Sequence, residues 1–154
     1  MNKRYRGDLF AIIILLNAGF IQPQAVEAHC QIPCGIYDDN ARLQSMLEDV
    51  ATVEKSVEMM IKLADEKSVQ SQNQRVRWVM NKEEHAQKII DIISNYFLTQ
   101  RVKPSQKDYT NRLKHHHAVI LAAMKAKQSA DLDSVRVLKN SINALAKYYP
   151  EHKH

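Results

Sequence analysis

The chain has 154 residues, 45% of them hydrophobic and 25% charged, with 3 Gly and 4 Pro. That length fits one domain with a sizeable core. The composition excludes collagen, low-complexity disorder and a disulfide-dense mini-protein, and scarce Gly and Pro argue against a turn-rich β-sandwich. The 22 basic residues exceed the 17 acidic ones by five, but the two signs are interleaved, so no stripe for nucleic acid stands out.

Lys3, Arg4 and Arg6 open the chain, followed by an apolar run from Leu9 to Phe20 broken only by Asn17 and Gly19. A polar segment, Gln22-Pro23-Gln24, then leads to Val26-Glu27-Ala28. This is the order of a secretory leader, with small residues at the −3 and −1 positions of a cleavage site. The run is shorter than the ~20 residues a membrane span needs. Residues 1–28 are therefore expected to be a removed leader and residues 29–154 an exported domain, periplasmic or extracellular, without a membrane anchor. A short amphipathic or buried helix is the alternative. Cleavage after Ala28 leaves 126 residues beginning at His29, with 19 basic and 15 acidic residues, all 7 His and both Cys.

Beyond Tyr37 there is no Gly, and only Pro104 and Pro150. Leu43, Met46, Leu47, Val50, Val53, Val57, Met60, Ile61 and Ala64 step by three or four, marking one helical face, with Asp38 or Asp39 as its N-cap. A polar turn is expected over Asp65 to Gln74. A second stripe runs Val76, Val79, Met80, Ala86, Ile90, Ile93 and Phe97. Pro104 followed by Ser105-Gln106-Lys107-Asp108 reads as a stop and a new capping box. The third stripe uses Tyr109, Leu113, Ile120, Leu121 and Met124. Val135, Leu138, Ile142, Leu145 and Tyr149 form the fourth, spaced like coiled-coil seam positions. Four amphipathic helices with short connections predict an all-α, up-and-down four-helix bundle over residues 38–150.

The preceding segment is unlike the helices. His29-Cys30-Gln31-Ile32-Pro33-Cys34-Gly35-Ile36-Tyr37 gathers both cysteines, a proline and the one glycine of the mature chain. Pro33 disfavours helix at Ile32 and Gly35 permits a positive φ, so residues 29–37 read as a compact hook. With the leader removed, His29 offers an α-amine and an imidazole, Cys30 a thiolate and a backbone amide nitrogen, and Cys34 a second thiolate. The amine, the amide and two thiolates make an N2S2 plane with the imidazole above it. Such a plane suits Ni(II) or Cu(II), whereas zinc prefers a tetrahedron. A plain Cys30–Cys34 disulfide, or a copper carrier, are the competing readings.

The pattern H-C-x-x-P-C-G-x-Y closely resembles the metal hook of the nickel superoxide dismutases. Weaker similarity continues in Tyr37-Asp38, Ala41-Arg42, Lys82-Glu83-Glu84 and Tyr96-Phe97. The resemblance implies a four-helix-bundle subunit, a hexameric homo-oligomer, one nickel ion per subunit, and superoxide as substrate. It implies that His29, Cys30 and Cys34 ligate the metal, that Pro33 is a cis turn, and that Tyr37 stands at the mouth of the site. Some members hold the hook imidazole with a glutamate on the first helix and an arginine on the second. The nearest positions here are Gln44 and His85. The rival function is a secreted helical metal-binding or redox-interaction module without turnover.

The remaining candidates have mostly structural readings. His115-His116-His117 is a poor metal cluster, because consecutive helical residues point in different directions. His117, between Leu113 and Ile120, is expected to be the core or interface histidine. Glu83 is expected either to partner a tyrosine or His85, or to sit at the stripe edge. Met46, Met59, Met60, Met80 and Trp78 read as packing, and His152 and His154 as an exposed tail.

Overall fold

A computed structural model describes residues 38–151, all of whose regular structure is helical. Four helices follow in chain order: α1 (Asp39–Lys62), α2 (Val69–Asp91), α3 (Tyr109–Gln128) and α4 (Leu132–Asn143). α2 runs on without a break into a π-helical segment, Ile92–Arg101, and α4 is followed by a 3₁₀ turn at Ala146–Tyr148. The expected leader and hook, and His152 and His154, lie outside the described residues.

The helix starts follow capping chemistry. Asp38 accepts hydrogen bonds from the amides of Asn40 and Ala41, Ser68 from that of Ser71, and Asp131 from that of Ser134, each supplying a partner for an amide that the first turn leaves unbonded. Two expectations are corrected. The α1–α2 turn is shorter than Asp65 to Gln74, because Ser68 caps α2 and the next residues join the helix. Ser105 does not cap α3: the helix starts after Asp108, whose carboxylate instead takes the Arg112 Nε–H at 2.9 Å.

Each helix packs on its sequence neighbours, and α4 returns to α1, so one core is shared by all four. Consecutive helices are antiparallel. Asp39 meets Arg101 and Asp49 meets His85 across α1 and α2. Lys82 reaches the end of α3 while Phe97 packs on His116. The fourth stripe fills the core as expected and the first does so from Leu43 to Val57, with Met46, Val50, Val53, Leu138, Ile142 and Leu145 fully or almost fully buried, while Ile61 and Ala64 at the end of the first stripe are exposed. The last stripe is not one α-helix, since Leu145 and Tyr149 flank the 3₁₀ turn.

The other two stripes are shifted. Val76 and Met80 are 58% and 66% exposed, and Ile61 and Val79 are also open. α3 and α4 meet at the 129–131 turn, where Ala130 lies beside Met60 and Val79. The α1–α2 hairpin projects past that level, so among the described residues no helix covers its last turns. On α3 the buried face is His116, Val119, Ala122, Ala123 and Ala126, while Leu113, Leu121 and Met124 are exposed. Small residues let α3 approach its neighbours closely, and the larger apolar side chains fall outside that contact.

His116, not His117, is the core histidine. It is 0% exposed, its Nδ1–H bonds the Arg112 carbonyl at 2.7 Å, and its Nε2 accepts from the Tyr149 hydroxyl at 2.9 Å. Burial pushes its pKa below the usual histidine value of 6.5, outweighing the opposing carbonyl bond. The unfolded chain therefore binds this proton more readily, and stability should fall as pH drops below about 6.5 until the lowered folded value is reached. Urea titrations across that window should show the slope, and His116→Gln should flatten it. An unchanged slope in His116→Gln would assign the effect to other groups.

Candidate metal centre

The chain enters the bundle at Asp38, one residue after Tyr37, so whatever residues 29–37 do is tethered to the start of α1. Three side chains converge there. Asp39 Oδ1 accepts hydrogen bonds from the Tyr96 hydroxyl and from Arg101 Nε, the latter at 2.7 Å. Arg101 Nη2 also donates to the Tyr96 oxygen at 2.8 Å. The guanidinium carbons of Arg42 and Arg101 lie 5.7 and 5.0 Å from the Tyr96 ring centre, within cation–π range. Burial, then the bond to Asp39, raises the Tyr96 phenol above its ordinary value. The Asn40 side-chain amide reaches the Tyr149 carbonyl at 3.1 Å, tying this end of α1 to the last turn of the bundle.

Helix type makes the cluster possible. Residues five apart diverge on an α-helix, but the wider π-helical turn of Ile92–Arg101 brings Tyr96 and Arg101 together. The Val102 amide bonds the Phe97 carbonyl at 3.0 Å, the same five-residue step. π-Helical turns are uncommon and concentrate at functional sites.

About three turns along from this end, His85 Nδ1 lies 2.6 Å from Asp49 Oδ1, both largely buried. The helical partner of His85 is thus Asp49, whereas Gln44 is exposed. Glu83 partners neither His85 nor a tyrosine. It is a rim residue, 2.9 Å from Lys82 Nζ and 3.8 Å from Lys127 Nζ. Lys82, 3% exposed, turns inward and donates to the carbonyls of Ala126 and Lys127, placing a cation at the negative end of α3. Met46 is core, Met59 and Met60 are half-buried and Met80 is exposed, while Trp78 lies beside Gln74, Arg77 and Asn81 in a surface groove.

Of the expected site residues, His29, Cys30, Cys34 and Tyr37 lie outside the described residues. Sequence reasoning did not pick out Arg101 or Asp49, or Asp39 beyond its capping role. Their roles depend on contacts between helices, and in one dimension each is an ordinary surface charge. Among the described residues, no group of three or more His, Cys, Asp or Glu could hold a metal.

The family model for nickel-containing superoxide dismutase matches residues 24–153, most of the chain and all of the helical body. The chain belongs to that family. As a nickel-containing superoxide dismutase it is an oxidoreductase, and its cofactor is nickel. The residues present fit the metal: the two thiols of the chain stand four residues apart beside His29, and nitrogen and thiolate donors arranged in a plane would suit Ni(II). No curated protein and no solved structure matches the chain.

Proposed function

We propose that the chain dismutates superoxide to dioxygen and hydrogen peroxide at one nickel ion per subunit, held by the N-terminal hook. Residues 1–28 are a leader that export removes, and residues 29–154 are the enzyme, working in the periplasm or outside the cell. The His29 amine and imidazole, the Cys30 amide and thiolate, and the Cys34 thiolate hold the ion. The observation that carries this reading is the family match spanning residues 24–153, which takes in the hook as well as the bundle.

When bound, nickel supplies a one-electron couple that two thiolates and an amide anion bring into range of superoxide. The rest is done by this chain's own groups. Tyr37 stands at the mouth, ordering superoxide or water, and its hydroxyl, the backbone N–H groups of the hook or water supplies a proton for peroxide release. Asp38 and the cluster of Asp39, Tyr96 and Arg101 hold the hook's root on the bundle. With Asp49 occupying its Nδ1, His85 retains Nε2 for the hook, a role in which it orients rather than ligates. The open apolar side chains of the projecting hairpin, Val76, Val79 and Met80, favour a homo-oligomer, a hexamer by family resemblance.

Protein prepared from His29 and supplied with nickel tests the reading. It should bind one nickel per chain and consume superoxide in proportion to bound metal. Nickel without turnover would favour a metal-binding module. Tyr37→Phe should keep the nickel and lower turnover severalfold, because it deletes a hydroxyl and preserves the ring. If nickel content falls with activity, Tyr37 belongs among the groups that hold the site together.

A further inference from the structure

Tyr96 is the first ring of a line that crosses the bundle. Its centroid lies 5.1 Å from that of Phe97, and Phe97 lies 4.5 Å from Tyr149. Tyr149 in turn lies 6.3 Å from Tyr148, which is half-buried at the far side. Each of the three tyrosine hydroxyls sits against a carboxylate oxygen or an imidazole nitrogen. Tyr96 donates to Asp39 and Tyr149 to His116 Nε2, and the Tyr148 oxygen is 2.6 Å from His115 Nδ1. The His116 acceptor is fixed, because its Nδ1–H is committed to the Arg112 carbonyl. Packing alone does not require three tyrosines each paired with a base along one run of rings.

That arrangement matters because a tyrosine is oxidised at accessible potential only when its proton leaves with the electron. Tyr149 is buried, and burial raises its phenol far above the ordinary value, so it cannot lose the proton beforehand. It needs an acceptor in place, and has one. The starting point also lies near the hook. Cys34 precedes Asp39 by five residues, a span of at most ~18 Å, and Asp39 touches Tyr96.

We infer that Tyr96, Tyr149 and Tyr148, bridged by Phe97, form an electron relay that drains strong oxidants from the hook to the protein surface. The inference rests on the nickel dismutase reading, which supplies peroxide at thiolate ligands. Peroxide that gains one electron splits into hydroxide and a hydroxyl radical, and bound nickel would supply that electron. That radical takes an electron from Tyr96 and becomes hydroxide, while the Tyr96 proton passes to Asp39. Tyr149 refills Tyr96 across Phe97, giving its own proton to His116, and Asp39 returns the Tyr96 proton. Tyr148 refills Tyr149, with its proton passing to His115 and the His116 proton returning. A small thiol or an enediol reductant in solution then gives Tyr148 one electron, and His115 returns its proton. Cations over the rings, Arg42 and Arg101 at Tyr96 and Arg112 and Lys147 at Tyr148, oppose oxidation, but Asp39 is ion-paired with Arg101 and Asp108 with Arg112.

The test uses nickel-loaded protein beginning at His29, challenged with hydrogen peroxide in the presence of a spin trap. Peptide mass spectrometry locates the trapped radicals and the oxidised cysteines. The natural sequence should carry trap on Tyr148. Tyr149→Phe keeps the ring and should retain nickel and superoxide turnover, yet show severalfold less trap on Tyr148 and severalfold more oxidation of Cys30 and Cys34. Tyr148→Phe, altered at the half-buried end of the line, should raise cysteine oxidation in the same way. Trap on Tyr148 that survives Tyr149→Phe, or cysteine oxidation indifferent to both changes, overturns the relay. Nickel content and turnover measured on the same samples separate the two levels. A parent protein lacking both fails the functional reading and the relay with it, whereas intact turnover with unmoved labels fails the relay alone.

Discussion

Cys34→Ser should leave the helices folded, abolish nickel binding and reduce superoxide turnover to the uncatalysed rate, and Cys30→Ser should do the same. The folded part of the prediction follows from where the core lies. Among the described residues, the buried side chains, Met46, Ile89, Ile93, Phe97, Leu138 and Leu145 among them, already form one cluster between residues 43 and 149. Both cysteines precede the helical stripes in the sequence. The chemical part follows from donor strength, since a serine hydroxyl is a much weaker electron donor than a thiolate, and the chain has no third cysteine to replace it. Circular dichroism and metal analysis on the same preparation decide it. A serine variant retaining full nickel-dependent turnover contradicts the thiolate assignment.

Retaining the leader should be nearly as damaging. With Ala28 still attached, the nitrogen of His29 is an amide rather than an amine with a pKa of about 8. It can join the metal plane only by losing a second amide proton, and the preceding chain crowds the site. Protein ending its leader at Ala28 and protein beginning at His29 share every hook side chain, so composition is held constant between them. The first should bind nickel weakly or in altered geometry and be inactive, and the second should be active. Equal activity in the two is incompatible with the α-amine as a ligand.

The helices were largely legible because a 3.6-residue period survives wherever a helix buries one face. α1 and α4 show this from Leu43 to Val57 and from Val135 to Ile142, although the first expected stripe runs on to Ala64, where the helix end is exposed. Periodicity failed where burial was decided by something other than hydrophobicity. Val76, Val79 and Met80 have the right spacing, but the hairpin outruns α3 and α4, and a stripe does not state how long its partners are. On α3 the contact face is built from alanines and His116, so the bulkier Leu113, Leu121 and Met124 drew the predicted stripe off its true position. The π-helical turn that brings Arg101 to Tyr96 leaves no periodic signal of its own, and ion pairs such as Asp39 with Arg101 or Asp49 with His85 join residues dozens of positions apart. The proposed hook is the opposite case: its candidate donors lie within six residues, so their spacing is a matter of sequence alone.

Nickel-edge X-ray absorption on the protein beginning at His29 tests the central claim most directly, because it counts the atoms bound to the metal without assuming activity. Two sulfur donors with nitrogen completing the shell, and the sulfur signal lost in Cys30→Ser and Cys34→Ser, is the predicted result. A shell of nitrogen and oxygen alone, unchanged by either substitution, would place the nickel away from the hook and contradict it.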